Sequence, residues 1–283
     1  AVTTDAPWPV AIVLPGINVG ADQYRWLAIA LAQAGIATVT FDFVDELMPG
    51  NVALSPGLDI TAVAPDSYGT RPSATAIAPI LGALHRLERD GPTAGAIDPT
   101  RFMVIGHSAG GTVALENANR AWFPGLRSVA TYGAHTMPAL LLGHPAGTVL
   151  PVPDDVPVLL VSGAEDGVIR QSVDRYKGGP DHHPVRATFE RAVRPHRASR
   201  YVEVHGGTHM VFGHPGDDTT ARGFLDAAST PESLARDGEV RCFLAGLFTE
   251  FARATLAPDP TRSDLGPLDA HASNPRVAEW TAK

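Results

Sequence analysis

Apolar residues along this chain fall into short unbroken blocks. "PVAIVL" (9–14), "IATVTFD" (36–42), "RFMVIG" (101–106), "LRSVATY" (126–132), "VPVLLVSG" (156–163) and "SRYVEVHG" (199–206) are rich in β-branched residues. Such runs predict strands buried on both faces. Helical spacing separates several of them. In "ADQYRWLAIALAQAG" (21–35), Tyr24, Leu27, Ala28, Leu31 and Ala32 share one face, and Gly35 supplies a C-cap. Further helices are predicted over 73–90, from Ala109 to about Arg120, over 184–194 and over 239–256. Strands alternating with helices predict an α/β fold with a mostly parallel sheet of about six strands, flanked by helices. Residues 45–72 are punctuated by Pro and Gly and show no clear element, so a long functional or mobile loop is expected there. No internal repeat or hinge-like linker divides the chain. The expectation is a single domain over 1–256, with 257–283 as an extension packed on the surface or partly disordered.

Composition narrows the class of function. The chain has 283 residues, 44% hydrophobic and 18% charged, which is enough for a sizeable core. Its formal net charge is −8, and no basic stripe marks it for nucleic acid. No apolar run approaches the roughly 20 residues that span a bilayer. Cys242 is the only cysteine, so no intrachain disulfide forms and cysteine usage does not point to an oxidising compartment. The opening "AVTTDAPWP" lacks methionine. Loss of the initiator, removal of a leader or a trimmed start each produce that pattern, so localisation stays open between cytoplasmic and secreted. Oligomeric state is likewise open.

The chemistry concentrates in "IGHSAGG" (105–111), where one serine stands between Gly106 and Gly110. A predicted strand precedes it and a predicted helix follows, the context that a nucleophile elbow requires. The small neighbours suit a sharp strand-to-helix turn with a strained serine. Ser108 is therefore the candidate nucleophile. An elbow of this kind takes an acid and then a histidine later in the chain. "SGAEDGVI" offers Glu165 and Asp166 after one predicted strand, and "VEVHGGTHM" offers His205 and His209 after the next. The backbone N–H of Ala109, directly after the serine, is a candidate oxyanion donor.

"GHSAGG", "SGAEDGVI" and "GGTHM" together resemble the α/β-hydrolase superfamily. The resemblance extends from about residue 9 to 256. "PGINVGADQYRWLAIALAQAGIATVTFDF" is similar to its dienelactone hydrolase, chlorophyllase and cutinase-like polyester hydrolase branch. The resemblance implies an α/β-hydrolase fold with its N-terminal strands reduced or absent. It implies the acid role for Asp166 and the base role for His209, with Glu165 and His205 as alternatives. It implies a second oxyanion donor at the N–H of Ile17 in "LPGIN", where Pro15 replaces the family's common histidine. No cap-sized insertion lies between the strands at 126–132 and 156–163.

The implied activity is a serine-dependent carboxylic ester hydrolase working through an acyl-enzyme, on a small-molecule or polymeric ester. An acyltransferase or peptidase on the same triad is an alternative, as is a non-catalytic binding protein of the same fold. Asn18, Val19, His107, Tyr132, His135, Val168 and Met210 flank the candidate machinery in sequence and are candidate substrate contacts, with Tyr68 on the long loop a further one. No cofactor is implied. "HGGTH" (205–209) has the spacing of a metal motif but lacks its glutamate and is interrupted by glycines, so no metal is expected there. "DHH" (181–183) reads as a solvated loop. Neither a dinucleotide-binding glycine pattern nor a P-loop is present.

Overall fold

A computed structural model describes residues 7–48, 50–172, 183–216 and 231–283. The chain forms an α/β fold around a seven-stranded sheet. In chain order its elements begin with β1 (Trp8–Leu14), α1 (Arg25–Gln33) and β2 (Ala37–Val39). A hairpin of β3 (Val44–Met48) and β4 (Asn51–Leu54) follows, then α2 (Ile77–Asp90), β5 (Ile97–His107) and α3 (Ala109–Glu116). The second half holds β6 (Leu126–Tyr132), β7 (Val158–Gly163), α4 (Gly167–Ser172), α5 (Pro184–Ala192) and β8 (Arg200–Val204). It closes with α6 (Pro231–Leu256), α7 (Gly266–Asp269) and β9 (Val277–Ala282). The strand order is β2-β1-β5-β6-β7-β8-β9, and every neighbouring pair is parallel except β8 with β9.

The apolar blocks follow from this arrangement. Successive residues of a strand face opposite sides. In β1, Ala11 and Val13 join one core layer while Val10, Ile12 and Leu14 join the other. β5 divides in the same way, Met103 and Ile105 against Phe102 and Val104. Leu27 and Leu31 of α1, with Leu244, Phe248 and Phe251 of α6, cover the first face. Leu84 of α2, Val113 of α3 and Phe189 of α5 belong to the second. With both faces covered, alternation with polar residues would bury charge without a partner.

Two expectations are corrected. The sheet has seven strands where about six were expected, because the tail supplies β9 instead of fraying. That edge strand is half-buried and mixes Val277 and Trp280 with Glu279, so no apolar block announces it. The Pro- and Gly-rich stretch after β2 contains the β3–β4 hairpin. Its glycine, Gly50 at φ 80°, serves the hairpin turn. α4 is also unannounced, being only six residues long. Residues 181 and 182 of "DHH" lie outside the described residues, while His183 caps α5 by accepting the Arg186 N–H at 3.3 Å.

The tail is held by polar contacts as well as by the ladder. Lys283 Nζ donates to the carbonyls of Phe189 (2.7 Å), Glu190 (2.9 Å) and Val193 (2.5 Å) at the end of α5. A cation there also favours the helix dipole. Glu279 pairs with Arg186. Deleting residues 277–283 is expected to lower the thermal midpoint by about 4 °C or more, since β8 loses its pairing with β9 and α5 its capping cation. A thermal melt of the truncated chain checks this.

Candidate active site

The strand order reverses between β1 and β5. Crevices outside the C-terminal ends of parallel strands at such a point are where ligands bind in open α/β sheets. Ser108 stands there, between the last residue of β5 and the first of α3. Its backbone has φ 54° and ψ −125°, a conformation that costs a side-chain-bearing residue about 1–3 kcal/mol. The turn holds it by three hydrogen bonds. The Ser108 N–H donates to the Tyr132 carbonyl (3.0 Å), and its own carbonyl accepts from Gly111 (2.9 Å) and Thr112 (3.1 Å). The small residues are required because α3 crosses the strands closely. A Cβ on Gly106 would collide with Gly110 and Gly111, and one on Gly110 with the Leu14 carbonyl.

Asp166 follows β7 and His209 follows β8. Both are 2% exposed, and His209 Nδ1 lies 2.8 Å from Asp166 Oδ2. The other carboxylate oxygen accepts the Ile169 N–H at 2.9 Å, which fixes the rotamer. Gly133 seals the assembly from β6. It has φ 60°, and a Cβ there would sit 2.9 Å from Asp166 Oδ2 and 3.0 Å from His209 Nδ1. Gly133 is also the residue after Tyr132, whose carbonyl holds the Ser108 N–H. The Ser108 turn and the His209–Asp166 pair are thus braced against the same strand end. Gly133→Ala is expected to lower kcat about 100-fold by displacing the imidazole, with a stability loss of about 1–2 kcal/mol. Steady-state kinetics beside a thermal melt read both, and unchanged kcat would show that Gly133 does not position the pair.

The alternatives for the two roles lie elsewhere. Glu165 is half-exposed and forms an ion pair with Arg236 at 2.9 Å. His205 is exposed, and its backbone N–H donates to the Arg276 carbonyl at 2.8 Å.

Ile17 and Ala109 both border the cleft at Ser108. Among the described residues, none accepts a hydrogen bond from the Ile17 N–H. Ala109 opens α3, where the first N–H groups have no partner within the helix. The turn that presents Ile17 is closed by the Val19 N–H on the Gly16 carbonyl (3.2 Å). Asn18, at φ 58°, donates its N–H to Leu54 of the hairpin (3.0 Å).

A buried chain of hydrogen bonds ties this turn to the histidine loop. The Gly16 N–H donates to Tyr24 Oη (2.9 Å), and the Tyr24 hydroxyl lies 3.0 Å from His107 Nδ1. His107 Nε2 is 3.0 Å from the His209 carbonyl. A carbonyl only accepts, so His107 carries its proton on Nε2 and accepts the tyrosine O–H at Nδ1. Burial, together with the nearby His209, pushes the His107 pKa down to about 3, so the ring stays neutral. His107 is therefore a strut beneath the site rather than a substrate contact.

The other candidate contacts divide. His135 and Val168 line the cleft. Tyr132 is fully buried, stacks on Phe212 and donates its hydroxyl to the Thr208 carbonyl at 2.7 Å. Val19 is core, and Met210 packs partly buried against it. Asn18 is exposed and contributes to the turn, not to the cleft wall. Tyr68 reaches the Pro151 carbonyl (2.7 Å) and does not border the cleft either.

The cleft measures about 360 Å³ and is walled by Leu58, Val63, Met137 and Leu142 along with Thr112 and Glu116 of α3. None of the six stands among the candidate contacts read from the sequence, yet helical spacing marks two of them. Thr112 and Glu116 stand one and two steps of four after Ser108, on one face of α3. Among the described residues, no group of three or more His, Cys, Asp or Glu could hold a metal ion, and no helix is long and apolar enough to cross a membrane. Comparison with family models yields no match, and comparison with curated proteins yields none either.

Proposed function

We propose that the chain is a serine-dependent carboxylic ester hydrolase of the α/β-hydrolase fold. The observation that carries this reading is a strained serine at the strand switch point, braced by the same strand end as a buried His–Asp pair. Strain of this kind persists where the surroundings over-determine it, and it clusters at reactive sites. The reading is supported further by the two N–H groups beside the serine.

Ser108 Oγ attacks the ester carbonyl while His209 takes its proton at Nε2. The Nδ1–H donates to Asp166, which fixes the tautomer and stabilises the imidazolium that forms. The oxyanion accepts hydrogen bonds from the Ile17 and Ala109 N–H groups, each worth about 3 kcal/mol in such sites. His209 then gives its proton to the leaving alcohol. Water, activated by the same base, releases the acid and restores Ser108.

Two measurements test the proposal together. The protein should hydrolyse para-nitrophenyl acetate, and a fluorophosphonate should add once, to the peptide containing Ser108. Absence of turnover combined with absence of labelling would leave only a binding role for this fold.

A further inference from the structure

α3 begins at the nucleophile and ends at an acidic residue inside the cleft. Glu116 is 5% exposed and borders the same cleft as Ser108. Its only hydrogen-bond partner among the described residues is Ser73 Oγ, 3.5 Å from Oε2, at the limit of such a bond. No Lys or Arg among the described residues lines the cleft. A buried carboxyl with an uncommitted oxygen, in a cleft that is mostly apolar, is costly unless a ligand satisfies it.

We propose that Glu116 sets the substrate class of this site, binding a hydroxyl group at the far end of the ester's acyl chain. The inference rests on the ester hydrolase reading and deepens it. Eight residues separate Ser108 from Glu116, about 12 Å along the helix. Helical side chains lean back toward the N-terminus, which shortens the gap to one that a hexanoyl to octanoyl chain spans. The aliphatic walls Leu58, Val63, Met137 and Leu142 suit the methylene groups between the two ends. The acyl side is assigned because the leaving alcohol must meet His209, which does not line this cleft, whereas both oxyanion donors do.

A hydroxyl fits better than the other polar ends. Burial pushes the Glu116 pKa up to about 8, so the group is protonated at neutral pH and both donates and accepts. A hydroxyl does the same and loses little hydration on entering. An ammonium would have to shed far stronger hydration, and Glu116 would have to ionise. A carboxylate end would meet a protonated acid but no cation. A methyl end leaves Glu116 unsatisfied.

The test compares para-nitrophenyl ω-hydroxyhexanoate, hexanoate and ω-aminohexanoate on the full chain, with acetate as a catalytic control. The wild type should favour the hydroxy ester over hexanoate by about tenfold in kcat/KM. Glu116→Gln, which also donates and accepts, should keep most of that ratio, and Glu116→Leu should bring it to about one or below. A ratio of two substrates on one enzyme cancels any difference in folded fraction. If the wild type turns over acetate but shows no hydroxyl preference, the assignment of Glu116 is wrong. A preference that survives in Glu116→Leu, or an amino ester that is the best substrate, overturns it as well. If the wild type turns over none of the esters, the hydrolase reading itself fails.

Discussion

Ser108→Gly is expected to lose ester hydrolysis by about 10⁴- to 10⁶-fold and yet to unfold at a higher temperature than the parent. The two halves have one origin. Ser108 sits at φ 54° and ψ −125°, where a Cβ is crowded by its own backbone, at a cost of about 1–3 kcal/mol. Glycine has no Cβ and relieves that crowding, while its extra chain entropy returns roughly 0.5–1 kcal/mol. The net gain of about 1 kcal/mol corresponds to roughly 2–4 °C for a chain of this size. Ser108→Ala removes the hydroxyl but keeps the Cβ. It should lose the same activity and melt close to the parent. The pair of variants separates the nucleophile's chemistry from the strain of its seat. If Ser108→Ala retains turnover, another group attacks the ester. If Ser108→Gly melts below the parent, the turn is not strained in the way its dihedrals imply.

The α/β class and the mostly parallel sheet were legible because a strand covered on both faces has no freedom in its pattern. Ala11 and Val13 serve one core layer and Ile12 and Leu14 the other, so the block must be apolar throughout. β9 escaped because an edge strand is free of that demand, and Glu279 sits in it as an ion-pair partner. The candidate site was legible to the extent that it is local. "GHSAGG" is written in consecutive residues because the turn is made of consecutive residues, and the same is true of "GAED" and "GGTH". Walls are different. Tyr132 was a candidate contact because it adjoins the site in sequence, but it is the last residue of β6 and its ring is fully buried on Phe212. Gly133 meets the His–Asp pair while Tyr132 lies in the core beneath. Glu116 needed only the helical step of four from Ser108. The walls at Leu58 and Leu142 come from distant loops, whose approach no local pattern encodes.

Asp166→Asn is expected to reduce kcat about 10⁴-fold, while Glu165→Gln leaves it unchanged. The two acids are adjacent in sequence and opposite in setting. Asp166 is buried, with one oxygen 2.8 Å from His209 Nδ1 and the other accepting the Ile169 N–H at 2.9 Å. An asparagine keeps the shape and keeps its carbonyl on Ile169, so the fold should persist. Its NH₂ group then faces Nδ1. Two donors cannot share that contact, so the imidazole moves its proton to Nε2. The nitrogen that should take the Ser108 proton is then occupied, and the charge that would stabilise the imidazolium is gone. Glu165 offers no such leverage. Its carboxylate is half-exposed and paired with Arg236, an interaction of about 0.2–1 kcal/mol in water. Its removal should change neither rate nor melting by a measurable amount. Activity at high pH sharpens the comparison, because a wrong tautomer, unlike a lost charge-paired base, is not corrected by deprotonating the imidazolium. Asp166→Asn should therefore stay slow as the pH is raised. A variant that recovers at high pH, or a larger loss from Glu165→Gln than from Asp166→Asn, would reassign the acid.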